Sequence, residues 1–218
     1  MGRTKLKKLR IIKDLENVFG FREGQNEKDI RKYFGNNNPV TLELGCGHGE
    51  YTFNLAKEFP ERNFIGIDIK GSRLYNGAID SIQYNIPNAA FLITRIEKIH
   101  EVFESNKIEE IIIPFPDPHV RRRSEKHRLV SPIFLSMYKS LLTVNGKVHL
   151  KTDNTLLYEY ALHILEKENI NIIYSTNDLH ADGQQLFIKK VYTRYEQHYI
   201  KGGRKIKYIC FNFAENKG

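Results

Sequence analysis

Seven short apolar runs alternate with segments of helical spacing, and that alternation constrains the fold more than any other feature of the chain. The runs VTLEL, NFIGIDI, AAFLI, EEIIIPF, KVHLKT, INIIYS and KIKYICFNF have the length and β-branched content of strands. Between most of them, residues 49–59, 71–84, 96–104, 131–142 and 154–168 carry apolar positions at helical spacing. Strands alternating with helices imply right-handed crossovers and a mostly parallel sheet. The expected fold is therefore α/β: a doubly wound, mostly parallel seven-stranded sheet with helices on both faces. In such sheets ligands bind beyond the carboxyl ends of the strands, so function is sought there. Residues 1–35 read as a polar, basic N-terminal arm in which Leu6, Leu9 and Ile12 suit a short helix, and residues 36–218 as a single domain. The stretch STNDLHADGQQLFIKK reads as a polar connection.

A chain of 218 residues is long enough to bury a full core. Its 40% hydrophobic and 28% charged residues are ordinary globular values. No apolar run approaches the roughly 20 residues of a membrane span, and the basic N-terminus lacks the continuous apolar stretch of a secretory signal. A cytoplasmic location, without membrane contact, is expected. Cys46 and Cys210 are far apart and without CxxC spacing, which supports neither a disulfide framework nor a cysteine zinc site. The net charge of +8 and pI near 9.3 point to a polyanionic partner such as nucleic acid. Abundant Lys, Asn and Ile can raise that total in a chain of any function, so clustering carries more weight.

Two stretches carry chemistry. The first expected strand runs into LELGCGHGE, with Glu43, Gly45 and Gly47, and the second ends in GID at Asp68. Glycines after a first strand admit positive φ and a close-lying ligand, and an acid at the end of the second accepts ribose hydroxyls. The GxGxG spacing differs from the GxGxxG of dinucleotide sites. A carboxylate at Glu43 repels a pyrophosphate but suits the cationic sulfonium and amino groups of S-adenosylmethionine. The second stretch, FPDPHVRRRSEKHRLV, sets Asp117 between Pro116 and Pro118 after the run Ile111-Ile112-Ile113. The prolines are expected to hold Phe115 and Asp117 extended, with Asp117 facing the cofactor loop. Arg121, Arg122, Arg123, Lys126, His127 and Arg128 then form the densest basic cluster, placed for RNA phosphate contacts. His119 and His127 lack partners at metal-ligand spacing, so no metal is expected.

With LKTDN ending the fifth strand and YTRYE near the C-terminus, these motifs resemble the bacterial tRNA (guanine-N7)-methyltransferase family, a class I S-adenosylmethionine-dependent group, over about residues 36–213. The resemblance implies a Rossmann-like fold and methyl transfer from S-adenosylmethionine to N7 of a tRNA variable-loop guanine, guanine 46. It implies cofactor contacts at Glu43, Asp68, Arg95 and Asp117, with Asp117 also catalytic, and substrate contacts at Arg121, Asp153, Thr193, Arg194, Tyr195 and Glu196. Three positions depart from the family pattern: Arg95 replaces Asp or Asn, His119-Val120 replaces Trp-Pro, and Arg121 replaces Lys. An N7 methylase must leave N7 free, so the arginines should bind phosphates or O6 alone rather than clamp the O6/N7 edge. Three other readings stay open: a class I methyltransferase for another RNA site or a protein, a non-catalytic RNA-binding protein on this fold, and a nicotinamide dehydrogenase. The sequence leaves open a monomer or a homodimer.

Overall fold

The computed structural model describes residues 3–20 and 24–213. Residues 1–2 and 21–23 of the expected arm, and 214–218 at the end of the expected domain, lie outside the described residues. The chain divides into two units, Met1–Glu104 and Ser105–Gly218.

In the first unit four parallel strands run in the order β1-β4-β3-β2, where β1 is Val18–Phe19, β2 Val40–Leu44, β3 Asn63–Asp68 and β4 Ala89–Ile93. Every residue of β2 and β3 is buried, the pattern of strands covered on both faces. Register pairs Leu44 with Ile67 and Asp68 with Ile93, so all three long strands end at one level. Four helices accompany them: α1 (Arg3–Ile11), α2 (Glu27–Phe34), α3 (Glu50–Glu58) and α4 (Gly71–Gln83).

The basic N-terminal segment is docked. Lys8 Nζ of α1 donates to Asn76 Oδ1 of α4 at 2.8 Å and stands 5.1 Å over the Tyr75 ring, while Ile12 is buried beyond the helix end. Helix α2 begins in a capping box: the Asn26 side chain accepts from Lys28 N–H, and Asn26 N–H donates to Asp29. The expected helix at 96–104 is instead a 3₁₀ run, Ile96–Glu101. Ile99 is its one buried residue, too little apolar surface to hold several α-turns against a sheet.

In the second unit the strand order is β5-β6-β8-β7, with β5 Ile108–Pro114, β6 Leu142–Thr152, β7 Asn171–Thr176 and β8 Lys207–Asn212. Strands β5 and β6 are parallel, and β8 runs antiparallel to both β6 and β7. Helices α5 (Pro132–Leu141), α6 (Thr155–Lys167) and α7 (Arg194–Lys201) complete the unit. Among the described residues there are eight strands rather than the expected seven. The additional one is β1, whose two residues are too few to register as a periodicity.

Buried polar pairs tie this unit together. His149 on β6 shares its Nδ1 with the Tyr208 hydroxyl at 2.7 Å, and its Nε2 lies 3.1 Å from Glu110 on β5. Burial alone would lower the imidazole pKa, but contacts with Cys210 and Glu110 outweigh it and raise the pKa to about 9.

Candidate functional site

Four of the six expected cofactor residues, Glu43, Gly45, Gly47 and Asp68, gather at the carboxyl ends of β2 and β3. Gly45 N–H and Cys46 N–H both donate to Ile67 O, at 2.9 and 3.0 Å, folding the glycine loop back over β3. Gly47 has φ +56 and its N–H donates to Asp68 Oδ2 at 3.1 Å, while Lys70 N–H donates to Asp68 Oδ1 at 2.8 Å. Asp68 thus orients the loop and keeps further lone pairs on each oxygen. A Cβ at Gly47 would meet nothing within 4 Å, so the backbone lies open to a ligand at that point. Gly49 has the opposite constraint. With φ +73, its Cβ would stand 2.5 Å from the Phe91 ring, and Gly77 N–H donates to His48 O at 2.9 Å, seating α4 directly on the loop.

Glu43 is buried on β2 and accepts a hydrogen bond from the Thr52 hydroxyl of α3. Burial, reinforced by Glu43 and then Asp68, pushes the neighbouring Cys46 thiol well up. Two carboxylates beside an open glycine backbone form an anionic, hydrogen-bonding cradle that suits a cationic ligand bearing hydroxyls. Arg95 is exposed beyond β4 and lies 3.6 Å from Glu97.

The expected acceptor residues lie in the second unit. Asp117 is exposed on the loop after β5. Phe115 does not take the extended conformation expected from the proline that follows it: its φ is +51. Its N–H donates to Lys151 O at 2.8 Å and its ring packs 5.7 Å from Tyr199, contacts that hold it in a region costly for a bulky residue.

Arg121, Arg122, Arg123, Lys126 and His127 are exposed, the last four on the 3₁₀ run Arg122–His127. Arg128, expected as an RNA contact, differs from its neighbours in the run. It is buried, donates to Pro118 O at 3.1 Å and His119 O at 3.2 Å, and lies 4.1 Å over the Tyr160 ring. That guanidinium fixes the loop directly after Asp117.

Asp153, at the end of β6, pairs through Oδ2 with Arg204 Nη1 at 3.0 Å. Thr193 and Glu196 form a capping box that starts α7, an element missed in the strand and helix pattern although its T-x-x-E signature lies in YTRYE. Glu196 is fully buried, and both its oxygens accept from Lys151 Nζ at 3.0 Å. His180 Nε2 lies 2.8 Å from Glu196 Oε1, and Lys151 Nζ also donates to Ile188 O at 2.8 Å. Although burial opposes it, the His180 and Lys151 contacts lower the Glu196 pKa. Lys151, fully buried, and His180, partly buried, were missed because nothing in their local sequence marks them as partners of Glu196. Arg194 and Tyr195, the other residues of that motif, are exposed.

Among the described residues no group of three or more His, Cys, Asp or Glu is placed to hold a metal ion, and no helix is long and apolar enough to cross a membrane.

Residues 37–209 match the family model described as "Putative methyltransferase". The tRNA (guanine-N(7)-)-methyltransferase of Porphyromonas gingivalis is 44% identical over 184 residues, covering 84% of this chain and 75% of that protein. The protein of the same name from Christiangramia forsetii is 41% identical over 197 residues, covering 90% and 86%. That of Cytophaga hutchinsonii is 38% identical over 219 residues, covering 98% and 99%. Among solved structures, the 16S rRNA methyltransferase KamB superposes with a TM-score of 0.68 at 12% identity, covering 91% of this chain and 99% of that one. A 30S ribosomal A1408 methyltransferase from an uncultured bacterium superposes with a TM-score of 0.63 at 18% identity, covering 90% and 98%. These structures share the fold, a Rossmann-like methyltransferase sheet with helices.

Proposed function

We propose, from the premise that this chain belongs to the tRNA (guanine-N7)-methyltransferase family, that its acceptor is the variable-loop guanine at tRNA position 46 and that Asp117 is its catalytic carboxylate. The reaction is S-adenosylmethionine-dependent methylation of guanine N7 in tRNA. The observation that carries the assignment is the anionic glycine cradle, with Glu43, Gly47 and Asp68 around an open backbone, in a chain that matches these relatives over most of its length.

S-adenosylmethionine, when bound, supplies an electrophilic methyl group on a sulfonium, so that the N7 lone pair forms the new C–N bond as the C–S bond breaks. Glu43 suits the cationic end of that cofactor, Asp68 its ribose hydroxyls, and the Gly45–Gly47 backbone its close approach. Guanine N7 carries a free lone pair at neutral pH, so no proton is removed before attack and no strong base is needed. What remains is alignment and stabilisation of the positive charge developing on the imidazole ring of the base. The carboxylates of Asp117 and Asp153 suit both tasks. Arg121 to Arg123, Lys126 and His127 supply phosphate contacts that offset the few kcal/mol needed to unstack the target base. Glu196, enclosed by Lys151 and His180, acts by holding Arg194 and Tyr195 at the start of α7. We place the enzyme in the cytoplasm, as a monomer or homodimer.

The test is transfer of labelled methyl from S-adenosylmethionine to unmodified tRNA, followed by chain scission selective for 7-methylguanosine. Scission at one variable-loop guanine is expected; label transfer without it discards position and atom. Asp117→Ala is expected to abolish turnover while cofactor binding survives, and near-wild-type activity in that variant removes Asp117 from the mechanism.

A further inference from the structure

Helix α7 presents an aromatic face that none of the site assignments above explains in full. Tyr195 and Tyr199 stand four residues apart on one side of the helix, their rings 6.4 Å apart and 29° from parallel. The Phe115 ring continues the row 5.7 Å beyond Tyr199. Arg204 lies 5.0 Å over the Tyr199 ring while pairing with Asp153. Tyr195, at the outer end, is 65% exposed. Isolated exposed tyrosines are ordinary on protein surfaces. This row differs in that a strained backbone, Phe115 at φ +51 and two residues before Asp117, directs one ring into it, while the exposed Arg204 lies over the Tyr199 ring and the exposed Arg194 directly precedes Tyr195 in the chain.

Resting on the tRNA methyltransferase reading, we infer that the Tyr195–Tyr199 row is a stacking ledge for an unpaired base that flanks the acceptor guanine in the RNA. Aromatic rings edged by arginine and lysine are how proteins hold single-stranded bases, since every base offers a π-face and every nucleotide a phosphate. The exposed end at Tyr195 suits a neighbour rather than the acceptor itself, because the acceptor must be enclosed and aligned for methyl transfer. The ledge also answers an energetic problem of the reaction. When the acceptor leaves its stack, each neighbour loses a face, and a protein ring that takes up that face lowers the cost of extrusion.

The experiment is a double-mutant cycle between ring and base, using the full chain and direct binding of unmodified tRNA. On the protein side are Tyr195→Ala and Tyr195→Phe; on the RNA side, each nucleotide next to the acceptor guanine is replaced in turn by an abasic residue. Tyr195→Ala is expected to weaken tRNA binding roughly 5- to 150-fold, equivalent to the ~1–3 kcal/mol of one base stacked on one ring. Tyr195→Phe keeps the ring and is expected to restore binding. At one flanking position, abasic tRNA binds the wild-type protein more weakly by a similar factor, and Tyr195→Ala adds no further loss. The inference is overturned if the ring and base effects multiply at both flanking positions, if Tyr195→Phe is as weak as Tyr195→Ala, or if Tyr195→Ala binds like wild type, which would leave the face to a protein partner. Methyl transfer to intact tRNA by the wild-type protein, measured alongside, separates this failure from failure of the tRNA reading, which would show as no transfer at all.

Discussion

Replacing Lys151 by methionine removes the ammonium that pairs with both oxygens of the buried Glu196 and leaves His180 as the other basic side chain beside that carboxylate. In the folded protein the Lys151 and Glu196 side chains are both fully buried. The ammonium uses its three donors on Glu196 Oε1, Glu196 Oε2 and Ile188 O. Methionine fills similar volume but leaves the Glu196 carboxylate beside only the Thr193 N–H and His180 of its hydrogen-bonding neighbours. Breaking a buried ion pair from one side costs about 3–5 kcal/mol, because the surviving charge stays desolvated. For a chain of this size each kcal/mol moves the melting temperature by about 2–4 °C, so Lys151→Met should melt roughly 6–20 °C below wild type at neutral pH. The sign of the pH dependence is also fixed. Glu196 in the wild type has a lowered pKa, so its contribution is present above the unfolded pKa and fades as pH falls through the folded one. Without Lys151 the carboxyl pKa rises, protonation relieves the burden, and the deficit of the variant shrinks on acidification. Adding Glu196→Gln should recover part of the loss by removing the stranded charge, a coupling of ~1–3 kcal/mol. Thermal melts of the two single variants and the double variant across pH 5 to 8 check this. A Lys151→Met melt within ~2 °C of wild type, or strictly additive losses in the double variant, would refute the argument.

Removing the cations of Arg122 and Arg123 together by alanine should lower the slope of log Kd against log salt for tRNA by about 2, with modest change in turnover at saturating tRNA; an unchanged slope takes them out of the interface. Gly49→Ala should fail to fold stably, since its Cβ meets the Phe91 ring at 2.5 Å and φ is +73, whereas Gly47→Ala, with open space around it, should lose only about 1 kcal/mol of stability but more than ~10-fold in affinity for S-adenosylmethionine. Equal cofactor affinity for Gly47→Ala and wild type, by calorimetric titration, counts against the cradle. The raised pKa of His149, from 6.5 to about 9, contributes stability that is complete below about pH 6.5 and lost as pH rises through about 9, on the order of 3 kcal/mol in all. Melting temperature should fall across that window, and His149→Gln should flatten the profile.

The strand pattern was legible because parallel strands buried on both faces read as continuous apolar runs, and β2, β3 and β4 lie where VTLEL, NFIGID and AAFLI stand in the sequence. What escaped the sequence was decided by partners distant along the chain. Helix α7 is short and polar, so its apolar spacing is silent and its capping box alone announces it. The fate of each cation in RRRSEKHR shows the same limit more sharply. Arg123 and Arg128 are the same residue type in one run, yet Arg123 is exposed and Arg128 is buried against Tyr160, 32 positions onward. A buried guanidinium must satisfy its donors, and here the Pro118 and His119 carbonyls accept from it. The buried cation therefore fixes the backbone immediately after Asp117, while Arg121, Arg122, Arg123, Lys126 and His127 face solvent. Which member of such a charge run anchors depends on where an aromatic face and accepting carbonyls converge, a property of the fold that spacing within the run does not encode.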